Sequence, residues 1–171
     1  MKTKVVLRLG DDISTDAIYP GRFMATVLPT ETPQYAFIDY KEFNSKLISK
    51  QIPPNSVIVA DNNFGCGSSR EQAASTLKGW ELIIVAKNFA RIFLQNSCNL
   101  GLRTIICPTI EAKENDELKI TETEIINNTS GKKFAIEPLP KARQAIIDAG
   151  GLIAYTRKKL LEKAGACHHS K

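Results

Sequence analysis

The stretch Asn63 to Ala74, NFGCGSSREQAA, gathers two glycines, a cysteine, two serines and an arginine just ahead of a run with helical spacing. The apolar run Val57 to Ala60 precedes it, so the pattern reads strand, glycine-bearing turn, helix. In parallel α/β sheets, ligands bind outside the carboxyl ends of such strands. A helix start offers unpaired backbone N–H groups and a partial positive charge, which suit an anion. Gly65 and Gly67 permit close backbone approach and positive φ, and Arg70 offers a planar fork for a carboxylate or phosphate. A cation in the first helical turn opposes the helix dipole, and an anionic ligand is one reason to tolerate it. The same letters also open an ordinary helix, with Ser68 or Ser69 as N-cap and Glu71 complementing the dipole, and spacing alone does not choose. A P-loop would need Gly-Lys-Ser/Thr, a Rossmann turn a glycine where Arg70 stands, and a nucleophile elbow Gly-x-Ser-x-Gly, so all three are excluded.

Cys66 lies next to the expected helix start, which can depress a thiol pKa. No histidine is within the domain body to serve it, so a small residue filling a tight turn or lining a pocket is the better reading. The histidines are His168 and His169, which removes Ser-His-Asp, Cys-His and histidine-built metal sites from the body of the chain. The Cys167-His168-His169 tail reads more readily as a frayed, solvated end than as a metal trap, and 163–171 is expected to be a flexible tail. Cys66, Cys98, Cys107 and Cys167 contain no Cys-x-x-Cys pair, so neither a zinc site nor an iron–sulfur cluster closes within the chain on spacing grounds. The net charge of +5 comes from dispersed Lys and Arg, with Arg157-Lys158-Lys159 as the longest run, which argues against nucleic acid.

The elements that must position the corner follow from patterning. At 171 residues with 43% hydrophobic and 24% charged residues, one globular domain over 1–171 is expected. No window approaches the roughly 18 apolar residues that cross a bilayer. The opening Met-Lys-Thr-Lys is too soon interrupted by charge for a secretory signal, so a cytoplasmic location is expected. Strands are expected at Lys4 to Leu9, Ser56 to Ala60, Glu81 to Ala86 and Arg103 to Cys107. Between them lie one or two short helices in Pro33 to Ser49, a helix from Ser68 to Lys78 and another from Asn88 to Asn99, closed by Gly101. This alternation predicts an α/β fold with a mostly parallel central sheet and flanking helices. Glu117 to Thr121, Glu124 to Asn127 and Lys133 to Glu137 predict a small antiparallel element, and Lys141 to Ala149 and Leu152 to Lys163 two helices split by Gly150-Gly151.

Three segments, GDDISTDAIYPGRF (Gly10 to Phe23), Asn63 to Leu102 with its Gly-Ser-Ser-Arg-Glu core and NFARIF, and IDAGGLIAYTRKKL (Ile147 to Leu160), strongly resemble the small subunits of the isopropylmalate isomerase and homoaconitase group. That group corresponds to the swivelling fourth domain of aconitases, so the resemblance implies a single swivelling β/β/α domain. It implies a hydro-lyase that moves a hydroxyl between adjacent carbons of a malate-like di- or tricarboxylate, built with a large subunit as a heterodimer or heterotetramer. The [4Fe-4S] cluster would belong to the large subunit and no metal to this chain. The resemblance further assigns Ser68 as the base that takes the proton alpha to a carboxylate, and Gly67, Ser69 and Arg70 as carboxylate-binding. A serine alkoxide is a strong base matched to a weakly acidic C–H, provided N–H donors and Arg70 stabilise it. Asp16 would orient a partner group or relay a proton, with a capping or Asx-turn aspartate as the alternative. Arg22 stands nearby as either a surface cation or a pocket residue. Substrate choice falls on the loop after Pro20-Gly21, where homoaconitate-directed members carry Tyr-Leu-Arg-Thr. Here Phe23-Met24-Ala25-Thr26 lacks that arginine, which favours an apolar substituent over a third carboxylate: isopropylmalate first, dimethylmalate or methylmalate next. A different class of protein, an anion-binding regulatory module, would use the same helix start.

Overall fold

The computed structural model describes residues 1–167, with side chains as far as Glu162. One seven-stranded sheet runs through it in the order β4-β3-β2-β1-β5-β6-β7. Strands β1 (Lys2–Arg8), β2 (Val57–Ala60), β3 (Ile83–Ala86) and β4 (Arg103–Ile106) are parallel neighbours in chain order. Because each successive strand is added on the same side, right-handed crossovers place every connecting helix on one face. These are α1 (Thr15–Ile18) and α2 (Lys41–Ile48) before β2, α3 (Gln72–Gly79) before β3, and α4 (Arg91–Leu100) before β4. The other face is covered by the sheet itself. β5 (Glu117–Ile120), β6 (Glu124–Asn127) and β7 (Lys133–Ala135) extend it antiparallel from the start of β1. They curl until Glu137 N–H donates to the Ile106 carbonyl at 2.9 Å and returns to β4.

Alternation along the strands divides the interior in two. Ile58, Ala60, Ile84 and Ala86 face the helices with Phe37, Leu47, Leu77 and Phe93. Val57, Val59, Ile83 and Val85 face the curl with Leu118, Ile125 and Phe134. Both faces of β2 and β3 are buried, which is why these strands read as unbroken apolar runs. Burying each of these side chains contributes about 1.5–3 kcal/mol. The antiparallel element thus continues the parallel sheet rather than standing apart from it.

The helix expected from Ser68 begins at Gln72 instead, with Glu71 at its N-cap and no side-chain cap bond. Neither Ser68 nor Ser69 is a cap, and Arg70 lies ahead of the first turn. The Ser68 N–H and the Ser69 carbonyl are taken by distant partners, described below, so residues 65–70 stay a tethered loop. The expected helix at Asn88 likewise starts later, at Arg91, and ends at Gly101 in the left-handed conformation, φ 72°. A Cβ on Gly101 would lie 2.5 Å from the Gly150 carbonyl carbon, so glycine there lets α4 close on the turn between α5 (Lys141–Asp148) and α6 (Leu152–Cys167). Helix α6 runs on through Cys167 into the segment expected to be a tail. The metal-trap alternative for Cys167-His168-His169 falls outside the described residues, apart from the Cys167 backbone. No described helix is long and apolar enough to cross a membrane.

Candidate active site

Beyond the carboxyl ends of β1, β2 and β3, three loops continue the parallel order by backbone pairing. Gly65 N–H donates to the Ile13 carbonyl at 2.7 Å and Thr15 N–H to the Cys66 carbonyl at 2.8 Å. On the other side, Ala90 N–H reaches the Phe64 carbonyl at 2.9 Å. Polar side chains brace the same loops. Asp11 Oδ1 accepts from the Asn62 backbone at 2.8 Å and its side-chain amide at 2.9 Å. Asn63 Nδ2 donates to Asp12 at 2.7 Å, and Asn88 links Asn62 and Asn63 at 2.8 and 2.7 Å. The hydrogen bond from the Asn62 backbone holds the Asp11 carboxyl below its ordinary range, so this brace is charged at neutral pH. Beneath it, Phe64 packs edge-on against Phe93, with ring centroids 5.3 Å apart. Gly65, at φ +82°, leaves room for that ring: a Cβ would lie 2.2 Å from Phe93 Cγ.

This zipper carries Asp16, in the first turn of α1, to Arg70. Two guanidinium N–H groups donate to the two carboxylate oxygens, Nη1 to Oδ1 at 2.6 Å and Nη2 to Oδ2 at 2.8 Å. Arg70 is 16% exposed and Asp16 57%, so the cation is embedded and the anion faces outward. Gly21 N–H adds a third donor to Asp16 at 3.1 Å. The Arg70 hydrogen bonds, ahead of the Gly21 amide, hold the Asp16 carboxyl below its ordinary range. The same guanidinium turns its Nε–H to Ser68 Oγ at 2.9 Å, and the Arg70 backbone N–H points to that oxygen at 3.3 Å. Ser68 Oγ therefore receives two donors, the arrangement that stabilises an oxygen with alkoxide character.

Two residues that sequence reasoning left out hold this loop. Thr15, 1% exposed, accepts the Ser68 backbone N–H on Oγ1 at 3.0 Å. Asn96, from α4, donates to the Ser69 carbonyl at 3.1 Å. Thr15 adjoins Asp16 in the motif, which was a usable signal; Asn96 stands 27 positions from Ser69 and offered none. Gly67, at φ +97°, and Ser69 are exposed. The expected substrate loop is arranged differently along its length. Phe23 is half-buried and stacked on Tyr35, with centroids 4.2 Å apart, whereas Met24 and Ala25 are exposed. The buried Tyr19 fixes the loop through its hydroxyl, which donates toward the Phe23 and Thr26 carbonyls at 2.9 and 3.2 Å.

Ser68, Arg70, Asp16 and Gly21 thus converge, and they do so on an open corner. Cavities of about 530 Å³ beside β4 and α5 and about 520 Å³ beside Asp61 lie elsewhere, and neither is lined by Ser68, Arg70 or Asp16. Cys66 is half-buried in the turn, while Cys98 and Cys107 are buried in the body. Among the described residues, no group of three His, Cys, Asp or Glu side chains could hold a metal ion, so these residues do not fit an iron–sulfur cluster.

The aconitase C-terminal domain family matches residues 38–109. The 3-isopropylmalate dehydratase small subunit of Methanosarcina mazei is 40% identical over 160 residues, covering 91% of this chain and 96% of its own. This chain belongs to the isopropylmalate dehydratase small-subunit family. Within that family, the 2,3-dimethylmalate dehydratase small subunit of Eubacterium barkeri is 39% identical over 162 residues, covering 91% of this chain and 96% of its own. A crystal structure of the Methanocaldococcus jannaschii 3-isopropylmalate dehydratase superposes with a TM-score of 0.86 at 36% identity, over 96% of this chain and 98% of that one. The family's fold is therefore the one seen here, with the Ser68 corner at its strand ends.

Proposed function

We propose that this chain is the small subunit of a heteromeric hydro-lyase that interconverts 2- and 3-isopropylmalate by removing and re-adding water. It is active only with a large subunit that carries the [4Fe-4S] cluster, the two forming one active site across a swivelling contact. The observation that supports this most directly is the Ser68–Arg70–Asp16 constellation, which is organised but open on one side. As an alkoxide held by the Arg70 N–H groups, Ser68 Oγ takes the proton alpha to a substrate carboxylate. The hydroxyl on the adjacent carbon leaves and is protonated to water by a group of the large subunit. In re-addition, water adds its hydroxyl to the carbon that lost the proton and gives its other proton to the large-subunit group, while Ser68 Oγ delivers its proton to the carbon that lost the hydroxyl. Arg70, Ser69 and Gly67 bind the carboxylate. In the resting chain most Arg70 donors are engaged, so the substrate carboxylate meets the remaining Nη2 N–H and the exposed Gly67–Ser69 backbone.

Relatives at 40% and 39% identity carry different substrate names, so overall identity does not select the substrate. The loop at Phe23, Met24 and Ala25 favours an alkyl-substituted malate, and 2,3-dimethylmalate is the second reading on the same ground. The test is the reconstituted two-subunit enzyme assayed on isopropylmalate, dimethylmalate, methylmalate, homocitrate and citrate. Ser68→Ala is expected to lower turnover by about 10²–10⁴-fold or more with assembly intact. Near-normal activity of that variant, or a preference for a tricarboxylate, refutes the reading.

A further inference from the structure

The 17–40 segment contains one cation, Arg22, and it sits one residue from the site. Its neighbour Gly21 touches the constellation directly. The Gly21 amide donates to Asp16, and a Cβ there would lie 3.1 Å from Arg70 Nη1. Arg22 is thus the next residue in the chain after one that touches both Asp16 and Arg70. Yet Arg22 is committed elsewhere. Both ends of its fork pair with Asp39, Nη1 donating to Oδ2 at 3.1 Å and Nη2 to Oδ1. Its guanidinium carbon also lies 4.9 Å from the centroid of the Phe23 ring, which is itself stacked on Tyr35. Asp39 is itself fixed. Two residues before it, the fully buried Phe37 ties the segment to α1, its N–H donating to the Ile18 carbonyl at 2.8 Å.

We propose that Asp39 is a specificity-determining residue, acting through Arg22: by holding that guanidinium over Phe23 it withholds the loop's cation from the substrate. A malate with an alkyl substituent is then admitted, and one with an additional carboxylate meets no counter-charge. This rests on the function proposed above and deepens it. Specificity in the loop is thus set by which cations are neutralised as well as by which residues are present. The two side chains are each 55% exposed, so the pair is weak enough for a single substitution to release Arg22.

The test uses the assembled two-subunit enzyme, with isopropylmalate as substrate and homocitrate as both substrate and competing ligand. Asp39→Asn is expected to tighten homocitrate binding by about fivefold relative to isopropylmalate, through KM and the inhibition constant, with kcat on isopropylmalate within about twofold. Asp39→Glu should restore the wild-type ratio, and adding Arg22→Gln to Asp39→Asn should abolish the gain. Arg22→Gln alone, which keeps the measurement decisive should the Asp39 variants fail to fold, should leave the ratio within about twofold. An unmoved ratio in folded Asp39→Asn, a gain that survives loss of Arg22, or a tenfold loss of homocitrate binding in Arg22→Gln overturns the inference. Wild-type enzyme inactive on every alkyl malate overturns the function itself and this inference with it; active wild type with an unmoved ratio overturns only the inference.

Discussion

Asp16→Asn separates the energetic from the proposed catalytic role of the Asp16–Arg70 pair. The substitution keeps the shape and the Gly21 contact but replaces two bonds between ionised groups, at 2.6 and 2.8 Å, by at most one from the guanidinium to an uncharged amide oxygen. Because Asp16 is 57% exposed, solvent screens the pair, and exposed pairs are worth about 0.2–1 kcal/mol. The expected loss of stability is therefore at most about 1 kcal/mol, or about 2–4 °C in Tm for a chain of this size. Activity should fall further than stability. The guanidinium that loses its anchor is the group whose Nε holds Ser68 Oγ at 2.9 Å, and a misplacement of about 1 Å at a reacting group costs about 10²-fold. Thermal melts of the isolated chain and steady-state kinetics of the assembled enzyme measure the two effects side by side. A kcat within about twofold of wild type would refute the positioning role, whatever the melt shows. The pH dependence carries the same signature. Arg70 holds the Asp16 carboxyl below its ordinary value of 3.8, so the pair's contribution is present above that value and is lost as pH falls through the lowered one. Asp16→Asn should flatten that part of the acid limb.

Two further substitutions or treatments test the scaffold. Gly65→Ala forces a side chain to φ +82° and into Phe93; left-handed strain and overpacking together cost about 2–5 kcal/mol, so the melt should drop by about 4–20 °C or folding should fail, and a drop under 2 °C would contradict the contact. With iodoacetamide on the native chain followed by peptide mapping, Cys66 should be labelled well before Cys98 and Cys107, both buried and the latter held up to about 11 by burial; equal labelling of the three would contradict the packing.

The apolar runs of β2 and β3 were legible because both of their faces are buried, so nothing in their sequence alternates. The glycine-serine-arginine corner was legible as a site because it ends a buried strand. Its internal order was not. Ser68-Ser69 followed by Glu71 has the local signature of a helix cap, yet the start of α3 was displaced to Gln72 by Thr15, Asn96 and the Arg70 side chain, each pulling on a different group of the loop. Two of these bonds join residues 53 and 27 positions apart, and no local pattern encodes them. Arg22 was ambiguous for the same reason, since its partner Asp39 stands 17 positions away, beyond two turns.

That displacement bears on the chemistry. Were Ser68 an N-cap, Arg70 would lie in the first helical turn. As a loop residue, Ser68 keeps Oγ for the Arg70 donors, while its own backbone N–H is satisfied by a buried threonine. The loop is held between the segments that follow β1 and β3 through backbone pairs at 2.7–2.9 Å. Preorganised donors of this kind cost no rearrangement when charge develops, but their worth depends on excluding water. Ser68 is half-buried and Gly67 and Ser69 are exposed, so solvent competes for the oxygen in the isolated chain. On the proposed function, a large subunit covering the corner would lower the local dielectric and strengthen each Arg70 bond. The proposal therefore divides the work in two: this chain would fix the geometry around Ser68 Oγ, and its basicity would emerge only with the partner over the corner.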